Sequence, residues 1–331
     1  MAQLLRAAAN GDLDKVIALR GSWGFQNKKG ESVLHVAVAE DQLEIVQHLV
    51  CNGANLNLQE KKHRFTPLML ALAQQPMRFE EIFHALLKGK PDLSIQNSSG
   101  QTVLHLAAEY EEVEPLKLLL RAKLNVDLHD DQKMTALHVA VGKQNVDIVQ
   151  LLVESGRANV NVVDSKGNSA LHWACMKNGD DQLELLKFLI SKGAKPLKNS
   201  HGNTPLHTEA MHCDPSANWP TAAANLLVTA FPDLKDGVNN RGLTAQQIFE
   251  HDIDTEDPVE VKSNTQKDCR SKSNDDELYQ YNTEAVRAAA IAHSKKKTTK
   301  KITKEGSGIA LYMWIAVLLA IIAIWYAMYW I

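Results

Sequence analysis

The sequence predicts an all-α solenoid of stacked helical repeats, followed by a linker and a single membrane-spanning helix. A recurring motif and an uncharged C-terminal segment support this prediction. The string Ser-Val-Leu-His at 32–35 returns as Thr-Val-Leu-His at 102, Thr-Ala-Leu-His at 135, Ser-Ala-Leu-His at 169 and Thr-Pro-Leu-His at 204. With copies at Thr66 and Thr244, successive starts lie 34, 36, 33, 34, 35 and 40 residues apart. Such a period is typical of a stacked solenoid.

Each copy of the motif predicts the start of a helix. A Ser or Thr side chain accepts hydrogen bonds from the free N–H groups of a first turn, and proline is tolerated at the first helical position, as at Pro67 and Pro205. Small residues later in this helix allow a second, antiparallel helix to approach closely. We expect left-handed glycines after the second helices, at these positions: Gly53, Gly89, Gly156 and Gly193.

The unit resembles the ankyrin repeat. The segment from Gly100 to Ala108 follows the family pattern Gly-x-Thr-Pro-Leu-His-x-Ala-Ala with Val103 in place of Pro, and Leu118-Leu119 closes the second helix. The resemblance implies helix-turn-helix units joined by β-turns, about seven in residues 1–251. Residues 2–20 correspond to a degenerate first repeat, and residues 242–251 to a terminal half-repeat.

The recurring histidines have a structural interpretation. They occupy one equivalent position per repeat and therefore cannot converge on one metal ion: His35, His105, His138, His172 and His207. The family resemblance implies that each bonds near its Ser or Thr start. Met69 occupies the same position in the second copy, which begins at Thr66.

A second group, His207, His212 and Cys213, lies beside an irregular insertion at 214–220 and suggests an alternative: an enzyme or enzyme regulator with a cryptic site. Zinc would need a further nearby donor. The sequence has no phosphate loop, nucleophile elbow or metalloprotease motif, so we expect no catalysis, metal or cofactor. The cysteines indicate no disulfide framework, and we expect Cys51 and Cys175 to be buried apolar residues in a reducing cytosol.

The ankyrin resemblance implies a concave groove lined by the turns and the first helices, where partner proteins bind. Large apolar residues there suit an interface. By register, the predicted protein-binding residues are Phe65, Gln101, Glu109, Tyr110, Met134, Lys143, Asn168, Met176, Lys177 and His212. We expect Phe65, Tyr110, Met134 and Met176 to face solvent, and Trp173 to lie in the core. The net charge of −3 and the lack of an evident basic face in residues 1–250 argue against nucleic-acid binding.

Residues 309–331 carry no charge and would reach about 34 Å as a helix, which is long enough to span a bilayer. A basic flank predicts a cytosolic solenoid and contact with anionic lipid. Its residues are Lys295, Lys296, Lys297, Lys300, Lys301 and Lys304. Residues 252–308 have the composition of a flexible, charged linker, with a short helix predicted at 283–293.

These features predict a membrane-anchored adaptor or scaffold that holds a cytosolic protein through its groove, with a monomeric solenoid. The absence of a basic residue after the tail favours the endoplasmic reticulum over the mitochondrial outer membrane. A host-directed bacterial effector built on the same scaffold is a further alternative.

Overall fold

The computed structural model describes residues 2–251, apart from Lys123, Asn178, Asp180 and residues 215–217. The predicted linker, the helix at 283–293, the six lysines and the uncharged tail at 309–331 lie outside the described residues. Among the helices of residues 2–251, none has the length and hydropathy needed to cross a membrane.

The described residues form seven consecutive helix pairs and one final helix. The pairs are α1 Ala2–Asn10 with α2 Leu13–Ala18, α3 Val33–Ala39 with α4 Leu43–Cys51, α5 Pro67–Gln74 with α6 Phe79–Lys88, α7 Val103–Glu109 with α8 Val113–Arg121, α9 Ala136–Gly142 with α10 Val146–Gln150, α11 Ala170–Cys175 with α12 Gln182–Ser191, and α13 Pro205–His212 with α14 Ala222–Ala230, followed by α15 Ala245–His251. A π-helical turn, Leu151–Ser155, extends α10. Short 3-10 turns are Arg20–Ser22 and Pro232–Leu234. The predicted all-α solenoid is confirmed.

The first helix of each motif-bearing repeat begins where the sequence predicts. Ser or Thr is the N-cap of α3, α5, α7, α9, α11 and α13, in extended backbone conformation. In α5 the side chain of Thr66 accepts a hydrogen bond from the backbone N–H of Met69 at 3.3 Å. Removing such a cap costs about 1 kcal/mol.

The core runs along the stack because neighbouring first helices pack against each other. Helix α3 contacts α1 and α5, α7 contacts α5 and α9, and α11 contacts α9 and α13. The leucine of each motif is buried at these contacts, for example Leu104 and Leu171. Each contributes about 1.5–3 kcal/mol through burial. A single pair has no partner for this face, so stability depends on neighbouring repeats.

Two sequence-based expectations about the second helices are wrong. Gly53 and Gly193 are left-handed, but Gly89 and Gly156 have right-handed φ values of −72° and −80°. The chain instead reverses one residue later, at Lys90 and Arg157, which have φ values of 56° and 58°. A β-carbon at Gly89 would lie 2.4 Å from Leu56 Cδ1, so close packing, not φ, requires this glycine.

Cys175 is buried as expected, whereas Cys51 is exposed. Cys51 is the last residue of α4, and the buried positions of that helix are Ile45, Val46 and Leu49. The predicted burial of Cys51 is therefore wrong because its position falls off the apolar face of the helix.

Candidate protein-binding surface

A tight turn, named here a finger, precedes each of the helices α3, α5, α7, α9, α11, α13 and α15. Fingers two to eight are residues 27–31, 60–65, 97–101, 130–134, 164–168, 199–203 and 239–243. In finger four, Asn97 Oδ1 accepts the backbone N–H groups of Ser99 and Gln101, both at 2.9 Å. The chain then turns through Gly100, whose φ is +74°. An Asn or Asp that caps its own turn in this way fixes the finger without help from other elements.

Neighbouring fingers are joined by backbone hydrogen bonds at their tips. The N–H of Lys61 donates to the carbonyl of Lys29 at 2.8 Å, and the N–H of Ser98 donates to that of His63 at 2.9 Å. The same contact continues to Asp131, Ser165, Ser200 and Asn240. These bonds hold consecutive tips side by side in one continuous row.

The recurring histidines connect each finger to the next repeat. His35 Nδ1 lies 2.8 Å from Ser32 Oγ, and its Nε2 lies 2.9 Å from the carbonyl oxygen of Phe65. His105, His172 and His207 make the equivalent pair of bonds. His138 Nδ1 bonds Thr135 in the same way, but its Nε2 lies 3.1 Å from the carbonyl oxygen of Val162, which precedes finger six. The predicted structural role of these histidines is confirmed.

Six of the predicted protein-binding residues are buried: Phe65, Gln101, Glu109, Tyr110, Met134 and Asn168. The expectation that Phe65, Tyr110 and Met134 face solvent is wrong. The peptide groups of Phe65 and Met134 accept the histidine bonds of the preceding repeat, which draws these residues into the inter-repeat contact. A position that varies between repeats can therefore still be part of the core.

Two of the buried polar residues form hydrogen bonds with each other. Gln101 Nε2 donates to Glu109 Oε2 at 3.0 Å, and Asn97 Nδ2 donates to Gln101 Oε1 at 2.9 Å. In finger six, Asn168 Nδ2 donates to Asp164 Oδ2 at 3.2 Å and Asn199 Nδ2 donates to Asn168 Oδ1 at 2.9 Å. The Gln101–Glu109 bond holds finger four to α7, and the other bonds lie within or between fingers, so these buried side chains are not presented to solvent.

Trp173 is half-buried, and its predicted place in the core is wrong. Its Nε1 donates to Asp164 Oδ2 at 3.1 Å. A β-carbon at Gly142, in the preceding first helix, would lie 3.3 Å from Trp173 Cε3. The indole therefore lies against the end of α9, and the lack of a side chain at Gly142 makes room for it.

The remaining predicted residues are accessible and lie at or just past the C-terminal ends of the first helices α9, α11 and α13. Met176, Lys177 and Lys143 are half-buried, and His212 is exposed. We define the first-helix strip as these accessible positions: Lys143, Trp173, Met176, Lys177, Met211 and His212. An oriented tryptophan beside a flexible methionine is typical of an interface core.

The row of finger tips carries a basic group that the sequence analysis missed. Exposed Lys and Arg side chains lie at the tips of fingers two and three: Lys28, Lys29, Lys61, Lys62 and Arg64, named here the basic tip cluster. The expectation of no basic face in residues 1–250 is wrong. Alignment of the repeats could have revealed this group, because its residues fall at the same turn positions although they are over 30 residues apart in sequence.

The side chains of His207 and His212 both form hydrogen bonds within the repeat structure. His207 is held by Thr204 and by the carbonyl of Leu243, as in the other repeats. His212 Nδ1 donates to the carbonyl of Thr208 at 2.9 Å. Burial raises the pKa of the Cys213 thiol to about 11, so it is mostly protonated near neutral pH and weakly nucleophilic. Residues 2–251, outside their gaps, contain no cluster suited to a metal.

A buried carboxylate supports the end of the stack. Glu209 accepts hydrogen bonds from Gln182 Nε2 and Thr221 Oγ1, both at 2.7 Å, and burial raises its pKa. Nearby, Trp219 stacks on Phe249 of α15, with ring centroids 5.2 Å apart. Trp219 thus packs onto the terminal half-repeat.

Comparison with known proteins identifies the repeat. A family model described as ankyrin repeats in three copies matches residues 4–90, 73–164 and 156–236. The chain belongs to the ankyrin repeat family. Ankyrin repeats are protein-interaction modules, so the described part of the chain is a protein–protein interaction module.

The ankyrin repeats are similar to those of several known proteins. The B-cell lymphoma 3 protein homolog of Mus musculus is 33% identical over 183 residues, which cover 54% of this chain and 40% of that protein. Inversin of Homo sapiens is 30% identical over 194 residues, covering 58% of this chain and 18% of that protein. The chain therefore spans less than half the length of these curated relatives.

A solved structure shows the same architecture. The crystal structure of the ankyrin repeat domain of Bcl-3, described as a unique member of the IkappaB protein family, superposes with a TM-score of 0.57 at 30% identity. The match covers 68% of this chain and 96% of that domain.

Proposed function

We propose that this protein is a membrane-anchored adaptor that holds a cytosolic protein against the first-helix strip of its ankyrin repeats. The position and environment of Trp173 are the observation that carries this proposal. Its indole is oriented by Asp164 and supported by α9, yet it stays partly accessible. A tryptophan fixed before binding loses little conformational entropy when a partner covers it.

The residues around Trp173 suit the same role. Met176 adds a flexible apolar side chain, while Lys143 and Lys177 place positive charges beside it. Interfaces combine an apolar centre with a polar rim, and a few central residues supply most of the binding energy. We expect the partner to present an apolar side chain to Trp173 and Met176.

The membrane part of the proposal comes from the sequence. Residues 309–331 are uncharged and long enough to span a bilayer, and six lysines precede them within residues 295–304. Lysine-rich flanks stay on the cytoplasmic side. We propose a single-pass protein of the endoplasmic reticulum membrane with cytosolic ankyrin repeats.

Two substitutions with the same chemistry test the strip in the full chain. Met176→Asp places a charge in the strip, whereas Met77→Asp places it in the loop between α5 and α6, where Met77 is 96% exposed. Proximity labelling in cells should show partners that Met176→Asp loses and Met77→Asp keeps. If both variants label the same proteins as the unmodified chain, the strip is not the binding site.

The membrane anchor needs a separate test. After alkaline carbonate extraction, the full chain should remain with the membranes, and added protease should digest the ankyrin repeats in intact microsomes. Exchanging residues 309–331 for an unrelated uncharged helix should preserve the partners. Release of the full chain into the soluble fraction would contradict the proposed membrane anchor. Loss of partners after the exchange of residues 309–331 would favour a role in self-association through the tail.

A further inference from the structure

The basic tip cluster is one continuous surface although it comes from two repeats. The N–H of Lys61 donates to the carbonyl of Lys29 at 2.8 Å, which joins the tips of fingers two and three directly. The contact is close: a β-carbon on Gly30 would lie 2.8 Å from the backbone nitrogen of Lys61. The charged side chains of both fingers therefore project from one edge.

The two fingers keep a net positive charge, because their five basic side chains outnumber the carboxylates of Glu31 and Glu60. Within the described part of the chain, none of the five basic side chains forms an ion pair. The half-buried carboxylate of Glu60 accepts the N–H groups of Lys62, His63 and Phe65 in its own finger at 2.6–3.2 Å. The carboxylate of Glu31 accepts a hydrogen bond from Asn27 Nδ2 at 2.7 Å.

His63 adds no charge to the cluster at neutral pH. Burial lowers its pKa, and the neighbouring Lys62 lowers it further. Its ring lies 5.4 Å from that of Phe65, behind the tip. The charge of the cluster thus comes from its Lys and Arg side chains.

The basic edge has a defined end. Finger four has no charged side chain and presents Ser98 and Ser99, and finger five presents Asp131 together with Lys133. The concentration of charge is therefore about two fingers wide, which matches a short run of carboxylates better than an extended polyanion. Complementary charge of this kind increases the association rate and selects the partner.

We infer that the basic tip cluster binds a short acidic segment, rich in Asp or Glu, of the partner protein. This inference rests on the proposed function, because it assigns a second contact to the same partner. The first-helix strip would take the apolar part of the partner, and the tips of fingers two and three would take its acidic segment.

Two features favour a polypeptide over a membrane surface or a nucleic acid. Among the described residues, the exposed large apolar side chains are Ile17, Met77, Val163 and Val238, and none lies on these two tips. Surfaces that enter a bilayer use such side chains for insertion, and single-stranded nucleic acid binding uses exposed aromatic rings for stacking. The basic tip cluster offers positive charge over a small area, without exposed large apolar side chains for insertion or stacking.

The test uses the full chain in detergent and a fluorescein-labelled decapeptide of alternating Glu and Gly. Fluorescence anisotropy at low ionic strength should detect binding that weakens as salt is added. Lys29→Glu/Lys62→Glu should weaken binding by about tenfold, since each reversal replaces an attraction with a repulsion. The matched control, Lys88→Glu/Lys187→Glu, makes the same net charge change on the exposed surfaces of α6 and α12 and should bind normally.

The outcomes separate this inference from the proposed function. Equal binding of the peptide to the Lys29→Glu/Lys62→Glu variant and to the control overturns the inference, and so does absence of peptide binding. Tighter binding of phosphatidylserine vesicles, or of a single-stranded RNA oligonucleotide, at the same lysines also overturns it. None of these results affects Met176→Asp, whose loss of partners tests the first-helix strip alone.

Discussion

His105 Nε2 lies 3.0 Å from the backbone carbonyl oxygen of Met134 in the following repeat. Because the backbone N–H of Thr102 donates to His105 Nδ1 at 3.2 Å, Nδ1 is an acceptor and Nε2 carries the proton. The ring therefore connects two repeats in its neutral form. Protonation of Nδ1 would remove an acceptor from the start of α7.

Acidification should destabilise the solenoid through these histidines. Burial lowers the pKa of His105 and of His172 to about 4, against about 6.5 in the unfolded chain. The stabilisation by these two neutral histidines is fully present above about pH 6.5. It is lost as the pH falls towards about 4, because the unfolded state binds more protons in this range. At about pH 5 each of the two histidines should lower the free energy of unfolding by about 2 kcal/mol relative to neutral pH.

Urea unfolding of the full chain, followed by circular dichroism between about pH 7 and pH 5, measures this loss. His105→Gln should be less stable than the unmodified chain near neutral pH and should show a shallower decrease on acidification. His84→Gln changes an exposed histidine of α6 and should keep the original pH dependence. An unchanged slope in His105→Gln would contradict the assignment.

Thr221 should be sensitive to loss of its hydroxyl. Its Oγ1 accepts the N–H of Ala224 at 3.0 Å as the N-cap of α14 and donates to Glu209 Oε1 at 2.7 Å. Thr221→Val removes both bonds and should cost about 2 kcal/mol of unfolding free energy. Thr221→Ser keeps the hydroxyl and should stay within about 0.5 kcal/mol. Equal unfolding midpoints for the two variants would show that neither bond matters.

Two left-handed glycines should respond differently to alanine. Gly30 and Gly53 have φ values of +81° and +78°, but only at Gly30 would the new β-carbon meet a neighbouring backbone, 2.8 Å from Lys61 N. Gly53→Ala should cost about 1 kcal/mol from backbone strain. Gly30→Ala should cost about 3 kcal/mol, because fingers two and three must also separate. Denaturant titration of both variants gives the comparison; a smaller loss at Gly30 would contradict the tight inter-finger contact.

The three described cysteines should differ in reactivity. Cys51 is exposed, Cys175 is buried with its pKa raised well above the ordinary value, and Cys213 is buried. In a Cys269→Ser background, a maleimide should label one thiol quickly in the native chain and three after unfolding. Mass spectrometry of tryptic peptides identifies the labelled positions. Rapid labelling of Cys213 in the native chain would favour the alternative hypothesis of an active site near His212.

The repeating motif was sufficient to predict the helix starts and the role of the histidines. Thr102 and His105 lie three residues apart, so their contact is local and is fixed once the helix forms. The motif did not predict which side chains are buried at equivalent positions of different repeats. Tyr110 and Met176 both lie just past a first helix, yet Tyr110 is buried and Met176 is partly accessible.

The sequence by itself determined the period and the capped first helices, because each cap depends on residues within one repeat and the period on their recurrence. Only the tertiary structure decided which variable positions face solvent, that Trp173 lies over Gly142, and that Lys29 and Lys61 meet at one edge. These relationships join residues about one repeat apart. They depend on how adjacent repeats pack, and side-chain volume and backbone hydrogen bonding between repeats control that packing.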